Sequence, residues 1–238
     1  MNEFRGFRAT SGDELVGKAI TVYSPKGGVG KSTIALALAG VLSRKNKVVV
    51  VEVDFSPGDM AATLEVDLKN IFLQEGGIDL SIQRPPQEGF DVLTGGFPDA
   101  AEMVSHEAVL SVVADLRERY DYVVIDTQSY LTESVVAALR AADLLLLVTE
   151  DSIASVSRTL GMMDYLQGNA FADLSRAALI VNRMSAVFRP TVTEKYIGAA
   201  GFSLPVVARI PEFKSFGGYK DAKIATVMAA LAKGSGLN

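Results

Sequence analysis

The 238-residue sequence predicts an α/β fold in which a mainly parallel β-sheet is flanked by helices on both faces. Strand-like and helix-like segments alternate at least six times along the chain. Residues 48–53 form a β-branched run and residues 144–148 a continuous apolar run, and both are typical of parallel strands that are buried on both faces. A glycine-rich turn joins the first strand to the first helix, so residues 19–53 are expected to form a β-α-β unit.

Composition favours a globular protein with one large domain. Hydrophobic residues make up 49% of the chain and charged residues 21%. The sequence has no apolar run long enough to cross a membrane and no apolar segment near its start that resembles a signal peptide, so we expect a cytoplasmic protein. Residues 1–17 are polar without a clear period and are expected to be a flexible leader, with residues 18–238 forming the folded domain.

Residue counts exclude several kinds of chemistry. The chain has no cysteine and one histidine, which excludes disulfides, thiolate metal sites, cysteine-ligated iron–sulfur clusters and a histidine-rich metal site. The net charge is −5, yet from Arg176 onward nine basic residues face three acidic ones. This basic segment indicates either a surface for DNA or an acidic partner, or a scattered solvated surface; the sequence leaves both open.

The loop between the first strand and helix has the features of a phosphate-binding loop. Its residues are Lys26, Gly27, Gly28, Val29, Gly30, Lys31, Ser32 and Thr33. The glycines allow a tight turn in which backbone N–H groups converge on phosphate oxygens at the start of a helix. Lys31 supplies a positive charge, and the Ser32 hydroxyl is a candidate ligand for Mg²⁺. The alternative is a glycine-rich turn with two solvated lysines.

Two aspartates follow apolar strands. Asp54 ends the strand at residues 48–53, and Asp126 ends the strand at residues 122–125. The carboxyl end of the second strand lies beside the loop that follows the first, at the edge where open α/β sheets bind ligands. For Asp54, a role as a turn former or helix cap is the alternative.

The loop departs from the usual pattern G-x-x-x-x-G-K-[ST], because Pro25 stands where the first glycine belongs. With its additional lysine, Lys26, it resembles the deviant Walker A motif of the MinD/ParA family of ATPases. The resemblance implies that Lys26 reaches across a homodimer to the partner's nucleotide. It also implies that Asp54 serves hydrolysis by positioning water or metal-bound water, and that Asp126, as in a Walker B strand, holds Mg²⁺ opposite Ser32.

The resemblance extends to the later strands. Asn182 and Arg183 follow the strand at residues 177–181, where related proteins carry a purine-recognising asparagine, and Ile210 and Pro211 match an element that packs near the base. The chain departs from the family at two places. Glu52 stands where aspartate is usual, and residues 128–129 are Gln-Ser where the family commonly has prolines.

The implied function is an ATP-binding, Mg²⁺-dependent and slowly hydrolysing dimerisation switch that positions a cellular structure through a protein partner. The sequence looks most like the CpaE/TadZ pilus-assembly branch or the MinD branch. One alternative is a ParA-type partition ATPase that binds non-specific DNA as the ATP dimer. Another is a metabolic enzyme of the same fold, such as an amidoligase. Residues 222–233 are expected to be a packed terminal helix, with peripheral membrane docking as the other possibility.

Overall fold

The computed structural model describes residues 16–55, 58–69, 77–97, 103–184, 191–213 and 215–237. Within them, seven strands form one sheet in the order β3-β2-β4-β1-β5-β6-β7, and each neighbouring pair is parallel. The strands are β1 (Lys18–Tyr23), β2 (Val48–Val53), β3 (Asp91–Leu93), β4 (Tyr122–Thr127), β5 (Leu144–Glu150), β6 (Ala177–Met184) and β7 (Val206–Pro211). The predicted fold class is confirmed.

Seven α-helices lie among the described residues. They are α1 (Lys31–Leu42), α2 (Met60–Leu64), α3 (His106–Arg117), α4 (Glu133–Ala141), α5 (Ile153–Gly168), α6 (Val192–Ala199) and α7 (Ala222–Gly234). Hydroxyl side chains accept backbone bonds at the starts of α3, α4 and α5, where Ser105, Thr132 and Ser152 are the N-caps. Short 3₁₀ turns occupy residues 78–80, 174–176 and 218–220.

The apolar core has two sides because successive strand residues point to opposite faces of the sheet. On one side Ile20, Val50 and Leu146 pack with α1, α2 and α7. On the other side, alternate residues of the same strands pack with α3 and α4 near β2 and β4, and with α4, α5 and α6 near β5 and β6. Central strands are therefore buried on both faces, as their continuous apolar runs predict.

Helix α6 is the element that the sequence analysis missed. Its start carries a capping box, in which the Thr191 side chain accepts from the Glu194 backbone and the Glu194 side chain accepts from the Thr191 backbone. This T-x-x-E pattern is a signal that the sequence contains.

The two ends of the domain are fixed by packing. Gly17, the last residue of the predicted leader, donates its N–H to the Arg117 carbonyl and accepts from the Arg117 side chain, while residues 1–15 lie outside the described residues. At the other end, α7 buries Ile224, Met228 and Leu231 against the side of the core that holds α1. In the described part of the chain, no helix has the length and apolar character that a membrane crossing requires.

Candidate functional site

The candidate site lies at the carboxyl edge of the sheet, next to the central strand β1. Loops that follow β1, β2 and β4 meet there, together with Arg183 of β6, and border a cavity of about 620 Å³. Eight of the residues predicted from sequence line it, and these are Gly27, Gly28, Gly30, Lys31, Ser32, Thr33, Asp54 and Arg183. The strand order, which places β1 between β4 and β5, brings these loops together.

The glycine loop has the backbone geometry that a phosphate site needs. Gly28 has a φ of 73° and Gly30 a φ of 98°, which lie in the left-handed region that favours glycine. Gly30 is also the N-cap of α1 and has no side chain to bond the first N–H groups of the helix. Those donors, together with the positive end of the helix dipole, are oriented toward an anion at the loop.

Lys31 borders the cavity and is buried. Its Nζ donates to the Ser129 hydroxyl at 2.9 Å, on the loop after β4. Burial lowers the pKa of Lys31, while the charges of Asp126 and Asp54 oppose that change. Lys31 therefore lies within electrostatic reach of two carboxylates.

Two buried carboxyls lie beside the cavity, and both have a raised pKa. Burial raises the pKa of Asp126 to about 7, against a hydrogen bond from Ser32 and the charge of Lys31. Burial also raises the pKa of Glu52 to about 7. Glu52 and Asp126 are register partners on β2 and β4, and Glu52 accepts from the backbone N–H groups of Met60 and Gly95. Glu52 thus joins the loops that follow β2 and β3.

Asp126 and Ser32 fit a magnesium site. Oδ1 of Asp126 is buried and has no hydrogen-bond partner among the described residues, so this oxygen is available to coordinate a cation. Ser32 adds a hydroxyl, and hard oxygen donors suit Mg²⁺. The described residues contain no group of three or more His, Cys, Asp or Glu side chains placed to hold a metal by themselves. A cation here would complete its shell with phosphate oxygens and water.

Lys26 is not among the residues that border this cavity. Its ammonium pairs with the Glu150 carboxylate at the end of β5, and Arg183 pairs with the other oxygen of Glu150 at 3.1 Å. Although burial acts to raise it, the pKa of Glu150 lies below its ordinary value because Lys26 and Arg183 both favour the charged form. The lysine predicted to reach a partner chain is thus held by its own chain in this structure.

A second cavity of about 300 Å³ adjoins the first. Gly30, Thr33 and Arg183 border it, as do the predicted base contacts Asn182, Ile210 and Pro211. Asn182 has other partners as well: its Nδ2 donates to the Val29 carbonyl at 2.7 Å, and its Oδ1 accepts from the Arg183 backbone. Val29 therefore contributes its backbone, since its own side chain is buried in the core.

Sequence analysis missed the aromatic wall of this cavity and the pairing partners of both lysines. Phe213 and Phe216 stack with their ring centroids 5.8 Å apart, and both border the second cavity. No sequence pattern links Glu150 to Lys26 or Ser129 to Lys31, because each pair joins positions about a hundred residues apart. For the phenylalanines, a signal was present, since two aromatics closely follow the predicted base element at residues 210–211.

A parallel sheet with a glycine loop between its central strand and first helix, beside a lysine and an oxygen-ligand pair, defines a P-loop nucleotide-binding protein. The profile of the "CobQ/CobB/MinD/ParA nucleotide binding domain" matches residues 20–221. The chain therefore belongs to the MinD/ParA family.

Individual relatives agree with this assignment. The chain is 25% identical over 178 residues to the septum site-determining protein MinD of Synechocystis sp., a match that covers 70% of this chain and 65% of that protein. It is 28% identical over 169 residues to a ParA family protein of Chlamydia trachomatis, covering 63% of this chain and 66% of that protein. The chain thus spans about two thirds of the length of these relatives.

The solved structure of MinD from Pyrococcus horikoshii, complexed with Mg-ADP, has the same fold. It superimposes with a TM-score of 0.72 at 23% identity and covers 91% of this chain and 95% of that one. At this identity, the likeness carries the fold alone.

Proposed function

We propose that the chain is an ATP-binding and slowly hydrolysing switch that dimerises with ATP and positions a cellular structure through a protein partner. One observation carries the proposal. Lys31 and Asp54 border the same cavity, at the N-terminus of α1, and Ser32 and Asp126 are hydrogen-bonded to each other beside it. Family membership supports the same nucleotide chemistry.

Each side chain has a role in this proposal. Loop N–H groups and the Lys31 ammonium bind the phosphates and neutralise the charge that develops during transfer. Ser32 and Asp126 would hold Mg²⁺, which when bound offsets the charge of the terminal phosphates. Asp54 borders the cavity and orients the water that attacks the terminal phosphorus as the bond to the leaving diphosphate breaks.

The base would occupy the second cavity. Its wall combines the amide of Asn182, the apolar Ile210 and Pro211, and the stacked Phe213 and Phe216. A flat apolar slot with a few hydrogen-bonding groups suits a purine ring. Arg183 borders both cavities and so lies between the phosphates and the base.

Dimerisation would use Lys26. In the proposed ATP state, Lys26 leaves Glu150 and neutralises charge on the partner's phosphates, in the manner of an arginine finger supplied in trans. The same edge of the chain exposes Tyr130 and Ile153, which are 80% and 58% exposed and follow β4 and β5. Apolar side chains around a charged cleft suit a surface that a second copy covers.

The first experiment compares Lys26→Ala, Lys31→Ala and Lys45→Ala by calorimetry with ATP·Mg²⁺ and by sedimentation. Lys45 is exposed in the turn after α1 and serves as the matched control. We expect Lys31→Ala to lose nucleotide affinity, and Lys26→Ala to keep most of it while losing the ATP-dependent dimer. ATP-driven dimers that persist in Lys26→Ala would contradict the proposed dimer. Absence of ATP binding by the unsubstituted chain would contradict the whole proposal.

A ParA-type partition function is the second candidate, favoured by the similarity to the Chlamydia trachomatis protein and by the basic residues after Arg176. Its test is fluorescence anisotropy of a random DNA duplex with the Asp54→Ala protein and ATP·Mg²⁺ at two salt concentrations. Partition ATPases bind DNA through phosphate contacts, so binding should require ATP and fall steeply with salt. Absence of DNA binding in a sample of confirmed dimers would favour a protein-docking positioner. For the membrane alternative, the apolar face of α7 is already occupied by the core.

A further inference from the structure

The two rings that form the aromatic wall of the second cavity are fixed in different ways. Phe213 packs against the apolar cluster that holds α1, and Phe216 stacks on it with the ring centroids 5.8 Å apart. Phe216 is 45% exposed and is followed by Gly217 and Gly218, the second of which has a φ of 75°. Glycine backbones restrict their neighbours little. The position of Phe216 therefore depends on what holds the chain beyond this glycine pair.

Glu88 holds the chain there, from a distant part of the sequence. Its Oε1 accepts from the Tyr219 hydroxyl at 2.9 Å and pairs with Nζ of Lys220 at 2.7 Å. The Glu88 side chain is 9% exposed, and hydrogen bonds are stronger where water is largely excluded. Both donors come directly after Gly218, so Glu88 fixes the far end of the glycine pair.

The turn that carries Glu88 closes on itself and lies against α1. Gln83 and Val92 exchange both backbone N–H···O bonds, at 3.0 and 2.8 Å. A Cβ placed on Gly89 would lie 2.7 Å from the hydroxyl oxygen of Ser43, which is the C-cap of α1. Because α1 begins at the phosphate loop, the element that places the phosphate site also supports Glu88.

We propose that Glu88 is a positioning residue that sets where Phe216 lies relative to the phosphate loop, and thereby makes nucleotide binding depend on the purine base. The inference rests on the proposed nucleotide function and deepens it by naming a residue that borders neither cavity. Stacking of a base on the wall depends on the distance and angle between the rings. Without the Glu88 contacts, phosphate binding continues while stacking of the base weakens.

The chain has no tryptophan, so Phe216→Trp places a single fluorophore in the wall itself. The full chain with this reporter is compared with proteins that also carry Glu88→Ala, Glu88→Gln, Tyr219→Phe or Glu118→Ala. Glu88→Gln keeps an oxygen acceptor, and Glu118, an exposed glutamate at the end of α3, is the matched control.

Emission is recorded as ATP·Mg²⁺ is added, or as Mg²⁺ with inorganic tripolyphosphate, which has no base, is added. Calorimetry measures binding in the same samples and also in Glu88→Ala without the reporter, and urea unfolding measures stability. Should Glu88→Ala fail to fold, Tyr219→Phe carries the same comparison.

We expect saturating ATP·Mg²⁺ to change the emission of the parent, the Glu88→Gln protein and the Glu118→Ala protein, and tripolyphosphate to leave it unchanged. In Glu88→Ala the change should be lost, and the affinity for ATP should fall about tenfold while that for tripolyphosphate is kept. Tyr219→Phe retains the pairing of Glu88 with Lys220 and should show a smaller loss.

A full emission change in folded Glu88→Ala, or an equal fall in its affinities for ATP and tripolyphosphate, would overturn the positioning role. Binding of ATP that leaves the emission of the parent unchanged would also overturn it, and the phosphate part of the proposed function would stand. Absence of ATP binding by the unsubstituted chain would instead overturn the proposed function and the positioning role together.

Discussion

Replacing Asp126 with asparagine should remove a loss of stability that the unsubstituted protein shows as pH rises, although it also removes a candidate magnesium ligand. The carboxyl is buried and its pKa is raised by that burial to about 7, so the folded state disfavours its charge. A group with a raised pKa in the folded state contributes its full stability below its ordinary pKa, and that contribution is lost as pH rises through the folded value. Asparagine cannot ionise, so the variant escapes this loss.

The magnitude follows from the pKa itself. Between about pH 5 and the folded pKa of about 7, the contribution of Asp126 to the free energy of unfolding should fall by about 3 kcal/mol, at 1.36 kcal/mol for each pKa unit. Asparagine leaves a buried amide that costs about 1–3 kcal/mol at every pH, so the pH dependence is the informative quantity. Loss of the Asp126 charge also removes one cause of the raised pKa of Glu52. The contribution of Glu52 to stability should therefore also fall less with rising pH in the variant.

The assay is urea unfolding at about pH 5 and about pH 8.5 in the presence of a chelator and without nucleotide. We expect the difference in unfolding free energy between Asp126→Asn and the unsubstituted chain to shift by about 3 kcal/mol in favour of the variant at the higher pH. Asp115→Asn on α3, where the carboxylate is exposed, is the control and should show no such shift. Parallel pH dependences of Asp126→Asn and the unsubstituted protein would refute the reasoning.

Three further substitutions test other contacts. Glu150→Gln removes the charge that holds Lys26, so ATP-dependent dimers should form at lower protein concentration in sedimentation runs; weaker dimers would show that the pairing favours association. Gly58→Ala should lower the free energy of unfolding by about 1–3 kcal/mol, because its Cβ would lie 1.9 Å from Oε1 of Glu52. Gly161→Ala on α5 should raise it by about 0.5–1 kcal/mol, since open space surrounds that helical glycine. Urea unfolding checks both, and equal effects of the two glycine substitutions would contradict the packing argument.

The part of the site that sequence predicts well is the part whose geometry is local. The glycines at 28 and 30 take the positive φ values that the loop pattern implies, and Lys31 and Ser32 follow at the helix start. The position of Asp126 could also be predicted from sequence, because strand ends in a parallel sheet meet at one edge. The structure places Asp126 beside Ser32. Their roles in binding and hydrolysis stay predictions.

Pairs of residues that are distant in sequence could not be predicted from it. Nothing near Lys26 in the sequence indicates Glu150, and nothing near Lys31 indicates Ser129, since both pairings depend on which strands lie next to β1. The strand order itself is set by packing of helices over the whole sheet and has no local pattern. Helix α6 differs from these cases, because its T-x-x-E start lies in the sequence and was overlooked.

Packing of α7 on α1 bears on the order in which the chain becomes functional during synthesis. Helix α1, which begins at Lys31, shares one apolar cluster with Ile224, Met228 and Leu231, which the ribosome adds almost two hundred residues later. Until those residues emerge, the helix that carries the phosphate loop leaves apolar surface open to water. A nascent chain therefore holds its glycine loop early, but the helix behind that loop gains its full packing only after residues 224–231 have been added. Nucleotide binding would then report that these two distant segments have come together.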